Sequence, residues 1–133
     1  MERRTINPIG LPTPPGYSQI VEVTGGRTAY IAGQVSLDPT GAMVGAGDLE
    51  AQARQVFGNL VTALQECGAG VSDLVRIGIY VVDHDEGKLA LVRRVRDETL
   101  PADPPPASTL IGVQSLAMSD FLIEVDGIAV LDD

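Results

Sequence analysis

Pro104-Pro105-Pro106-Ala107-Ser108-Thr109-Leu110, and further on Phe121-Leu122-Ile123-Glu124-Val125-Asp126-Gly127-Ile128-Ala129-Val130, are the stretches that decide the fold of this 133-residue chain. A run of prolines fixes φ and removes backbone donors, so it delivers the chain stiffly into the strand that follows. The second stretch alternates. Ile123 and Val125 point to one face, and Glu124 and Asp126 to the other, about 7 Å apart along the strand. Two strands therefore close the chain. Carboxylates inside so apolar a strand are unfavourable unless they are solvated, paired or functional. A solvated strand face and a working site both fit these residues.

Working back towards the N-terminus, Leu74 to Val82 reads as a strand, with Val75, Ile77, Ile79 and Val81 on one face and Arg76, Gly78, Tyr80 and Val82 on the other. A helix starts near Asp85, turns Leu91, Val92 and Val95 inward, and ends before Pro101. A longer helix precedes the strand. Asp48 offers an N-cap oxygen, and Leu49, Ala53, Val56, Phe57, Leu60, Leu64 and Cys67 line one helical face before Gly68 and Gly70 end it. Gln34 to Gly47 is a loop. Ser18–Val23 and Arg27–Ala32 read as a hairpin joined by Thr24-Gly25-Gly26, because Gly-Gly permits the positive φ that tight hairpins need. A Pro- and Gly-rich arm comes before it, with a short strand at Arg3–Ile6.

The element order is (β)ββαβαββ in one domain, residues 1–133. Two amphipathic helices must cover one face of a mixed sheet, which makes the fold α+β. The other sheet face is also apolar, and a chain of this size cannot cover both. Oligomerisation through the bare face is expected.

The bulk numbers exclude several classes. A net charge of −9 repels phosphate backbones, and Arg93, Arg94 and Arg96 form the only basic cluster, so no nucleic-acid partner is expected. No run of 18 apolar residues occurs and no apolar signal segment follows Met1, so no membrane partner is expected. The single cysteine, Cys67, excludes an internal disulfide and suits a cytoplasmic location, with a packing role for the thiol. His84, the only histidine, lies in Asp83-His84-Asp85-Glu86. A strand-to-helix turn explains this run better than a metal site, since metal ligands usually converge from several elements. There is no Gly-x-Ser-x-Gly elbow and no Gly-rich phosphate loop, so neither a serine triad nor a cofactor is indicated.

Five segments, in order, resemble the RidA/YjgF (Rid) family. They are Gly16-Tyr17-Ser18-Gln19-Ile20, Tyr30-Ile31-Ala32-Gly33-Gln34-Val35, Asp48 through Leu60, Pro105-Pro106-Ala107-Ser108-Thr109, and Ile123 through Ala129. The resemblance covers nearly the whole chain. It implies a chorismate-mutase-like fold and a homotrimer with its sheets inward and small-molecule clefts between subunits. In family enzymes an arginine grips the carboxylate of a 2-imino or 2-enamino acid, an acid on the last strand positions water, and the products are a 2-oxo acid and ammonia. A tyrosine lines the cleft, and backbone groups near Gly-Gln assist.

Carried over by position, Tyr17, Gly33, Gln34 and Glu124 match. The arginine falls at Ala107, flanked by Pro106, Ser108 and Thr109, and a frequent helix asparagine falls near Arg93. The resemblance thus implies a divergent subgroup lacking the substrate-binding arginine. Glu124 is the expected catalytic residue. Tyr17, Gly33, Gln34, Arg93, Ala107 and Ser108 are the expected substrate-binding positions, with no metal. The leading reading is a hydrolase of an imine, enamine or related small electrophile, other than a standard 2-imino acid deaminase. The alternative is a non-catalytic metabolite-binding module, with ribonuclease third.

Overall fold

Asp48 caps the long helix as its side-chain chemistry dictates. In the computed structural model, which describes residues 1–133, its carboxylate accepts a hydrogen bond from the Ala51 N–H at 3.1 Å, and α1 runs Leu49–Glu66. Gly68, at φ +76°, ends it. The second helix, α2, spans Glu86–Thr99, and the Asp85 carboxylate caps it by accepting from the Lys88 N–H at 2.8 Å. That bond outweighs the opposing desolvation and, with help from the Lys88 charge, holds the Asp85 carboxyl below the usual carboxylate range.

The strands are β1 (Glu2–Ile6), β2 (Ile20–Thr24), β3 (Arg27–Gln34), β4 (Leu74–Val82), β5 (Ala107–Val113) and β6 (Ile123–Leu131). A four-stranded sheet has the order β3-β6-β4-β5; β4 and β5 run parallel, and the other pairs antiparallel. Both helices pack on one face. The core there joins Val56, Phe57, Leu60 and Leu64 of α1, Val92 and Val95 of α2, Ile77, Ile79 and Val81 of β4, and Ile123 and Val125 of β6. Cys67 is partly buried and packs against this core. The opposite face has no cover from this chain, and Tyr30 on it is 80% exposed.

Two expectations need correction. The Gly25-Gly26 segment does not close a β2–β3 hairpin. β2 pairs with β1 (Glu2↔Thr24, Ile6↔Ile20), and β3 pairs with β6. Both glycines have positive φ, +78° and +85°, so the turn signal reports backbone conformation correctly. It says nothing about partners, and here it passes the chain from one sheet to the other. Second, β4 carries an irregularity between Leu74 and Arg76, where Leu74 pairs with Ala129 and Arg76 with Ile128. Leu74, 1% exposed, takes the core position that strict alternation gives to Val75. From Arg76 onward the expected alternation holds.

Gln52 stitches the sheet to the helix. It is fully buried on the apolar face of α1. Its amide nitrogen donates to the carbonyls of Gly45 and Asp120, both at 3.0 Å, and its oxygen accepts from the Leu122 N–H at 2.9 Å. These bonds fix the approach to β6 and hence the facing of Glu124.

Candidate functional site

Ser18 positions the tyrosine beside it. Its backbone N–H donates to the Pro106 carbonyl at 3.0 Å, its buried hydroxyl donates to the Pro105 carbonyl, and it forms an isolated parallel bridge with Ala107. The proline run, stripped of its own donors, offers carbonyls that Ser18 fills. Tyr17 is thereby held beside the start of β5.

A cleft of about 440 Å³ opens there, lined by Tyr17, Gln19, His84, Arg93, Arg96, Ser108 and Thr109 over a floor of Ile79, Leu89, Val92 and Leu110. Tyr17, Arg93 and Ser108, three of the residues read from the sequence, therefore meet. Arg96 joins them three residues after Arg93, on the same helical face; that spacing was visible in the sequence. Its side chain is 12% exposed and contacts Asp97 at 3.1 Å. Gly16, at φ +91°, makes room for it, since a Cβ there would stand 2.9 Å from the guanidinium. Arg94 turns away to Glu50 and Glu98. No carboxylate lines the cleft. In a chain of net charge −9, this is a local cationic pocket suited to an anion.

The remaining expected residues lie elsewhere. Glu124 crosses the backbone of β3 so closely that Gly33 has no room for a side chain. Gln34, opposite Val125 in register, donates from its side-chain nitrogen to the Ala32 carbonyl at 3.0 Å. Gly33, Gln34 and Glu124 thus gather at β3 and β6. Three strand spacings, about 14 Å, separate β3 from β5 across the sheet. One chain does not bring the two groups together. Ala107 opens β5 and presents only a methyl group.

The two acids of β6 differ. Asp126 is engaged: Oδ1 accepts from the Gly78 N–H at 3.1 Å, and Oδ2 accepts from the Tyr80 hydroxyl at 3.0 Å. That hydrogen bond, followed by burial, pushes the Tyr80 phenol above its usual range. Glu124 shares the face without such partners. Its carboxylate is half-buried and free to accept a proton or hold a water. No three His, Cys, Asp or Glu side chains stand together as a metal site. No helix is long and apolar enough to cross a membrane.

The family profile described as Endoribonuclease L-PSP matches residues 11–131. The chain belongs to this family, the Rid/YjgF group. The solved structure of a Rid family protein, YyfB from Yersinia pestis, superimposes with a TM-score of 0.88 at 42% identity, covering 98% of this chain and 100% of that one. A RutC family protein of Synechocystis is 33% identical over 98% of both chains. A 2-iminobutanoate/2-iminopropanoate deaminase of the mite Dermatophagoides farinae is 28% identical, also over 98% of both. As a Rid family member, the chain belongs with a group that includes imine deaminases, and it has the α+β architecture of its Rid neighbours.

Proposed function

We propose that this Rid protein works as a homotrimer and hydrolyses an imine, an enamine or a related small electrophile in clefts between subunits. The observation that carries this reading is the separation of two half-sites. Tyr17, Arg93 and Ser108 stand at the β5 edge, and Gly33, Gln34 and Glu124 at the opposite side of the same sheet. A second copy, apposed through the uncovered sheet face, supplies the missing half to each.

The chemistry needs no group outside the chain. Glu124 accepts a proton from water as the water oxygen bonds to the imine carbon, and the C=N double bond becomes the single bond of a carbinolamine. A proton passes to nitrogen, the C–N bond breaks, ammonia leaves and a carbonyl remains. The cationic cleft wall draws anionic substrates towards the site, while Ala107 leaves the usual arginine position empty. A standard 2-imino acid therefore lacks its two-pronged contact, which is worth about 1.5–3 kcal/mol. Ribonuclease activity, the source of the family description, fits poorly with a net charge of −9 and 4% aromatic residues.

Two measurements test the reading. Mass photometry should give about three times the 13.9 kDa chain mass; a monomer overturns the composite cleft. A screen of freshly generated imines, read by carbonyl product, should yield a substrate whose turnover Glu124→Gln abolishes while binding persists. Tight binding of metabolites with no turnover by the native protein would favour the binding-module alternative.

A further inference from the structure

Among the nine lysines and arginines, most are engaged by carboxylates or backbone carbonyls. Arg27, Arg76 and Arg93 are not. Arg27 sits at the far end of β3, opposite Leu131. The other two flank the start of β5.

Arg76 has the more telling position. In the parallel β4–β5 ladder it is the register partner of Ala107. Register partners on adjacent strands project to the same face, one strand spacing or about 4.8 Å apart. Arg76 is exposed on the uncovered face, beyond the Leu74/Arg76 irregularity that sets its direction. The nearby acid, Asp126, has its two oxygens taken by Gly78 and Tyr80. The methyl of Ala107 leaves the space over β5 unfilled. On the β6 side of Arg76 lies a concavity of about 360 Å³, lined by Tyr30, Ala32 and Gly33 of β3, Tyr80 of β4, and Asp126 and Ile128 of β6.

We propose that Arg76 grips the substrate's anionic group, delivering from β4 the guanidinium that arginine-bearing relatives deliver from β5. This rests on the hydrolase reading above. It deepens that reading by assigning the residue of this chain that holds the substrate's anionic group. The anion sits one strand inward from its usual place, so the spacing between carboxylate and reacting carbon sets the selectivity. Arg93, beyond the β5 edge, contributes to the field without the direct two-pronged contact.

The test is calorimetric titration of the intact protein with 2-oxobutanoate, 4-oxopentanoate and the neutral butanone. At least one acid should bind more tightly than butanone. Arg76→Met should weaken that acid about tenfold or more and leave butanone unchanged, whereas Arg93→Met should weaken it by less. Arg76→Met/Ala107→Arg should regain most of the loss, because the guanidinium returns one strand away. Unchanged far-ultraviolet dichroism and oligomeric mass keep a folding defect separate from a binding one. Acid binding that survives Arg76→Met overturns this proposal alone, as does a double variant no better than the single one. Failure of the native protein to bind any of the three probes overturns the hydrolase reading with it.

Discussion

A Cβ on Gly33 would stand 2.3 Å from Oε2 of Glu124. The two residues therefore define one position between them: the carboxylate lies where a side chain on β3 would be. Gly33→Ala forces them apart. The backbone of Gly33 is not left-handed, and the clashing atom is the end of a flexible side chain, so the fold should adapt. A thermal melt should show a loss of about 1 kcal/mol or less. Turnover should fall about as far as in Glu124→Gln. Full activity in Gly33→Ala would mean that the carboxylate works from another place.

Tyr80 and Asp126 give a pH prediction. The phenol is raised by its bond to Asp126. A raised folded-state value means that its stabilisation is fully present below the unfolded tyrosine pKa, about 10, and is lost as pH rises through the higher folded value. Urea unfolding should show the native protein more stable than Tyr80→Phe by about 0.5–1 kcal/mol at pH 8. The gap should shrink at pH 11 and above. A gap independent of pH would mean that the hydroxyl contributes only packing.

Gln52 offers the largest stability effect. Gln52→Leu removes three buried hydrogen bonds and leaves the Gly45 and Asp120 carbonyls and the Leu122 N–H unsatisfied. The expected loss is about 3 kcal/mol or more, measured by chemical denaturation.

Ser18→Ala should cost about 1–2 kcal/mol, since the part-buried Pro105 carbonyl loses its side-chain donor. Ligand affinity should fall as well, because Tyr17 loses its anchor. The calorimetric titration described above measures this directly. Affinity unchanged from native would place Tyr17 outside the contact surface.

The sequence displayed the elements well, because alternation and helical spacing report burial directly. Asp48, Asp85 and the strand Leu74–Val82 stand where those patterns put them. The acids of β6 were legible for the same reason. Pairing was less legible: Gly25-Gly26 encodes two positive φ angles, and nothing local states that β2 will choose β1. Gln52 looked like one more polar helix residue, although its place on the apolar stripe beside Ala53 and Val56 was a visible signal. The pattern of β4 shows Arg76 only as one residue of a strand face, because its importance lies in a register partner 31 residues away, Ala107, and single-strand patterns carry no register.

The wall of the cleft depends on a contact between residues 87 positions apart, Ser18 and Pro105. Closing so long a loop carries an entropic penalty that the helices and the antiparallel β4–β6 pairing, with shorter separations, do not face. The two helices, β4 and β6 can therefore organise before Tyr17 reaches β5. By the same argument, that seam opens at lower free energy than the core does. Amide exchange along residues 16–19 would then run ahead of exchange in α1. A molecule intact by its melting curve would spend part of its time with the β5 half-site undone, and the arm's hold on Pro105 and Pro106 would set how much of the folded population is competent at any moment.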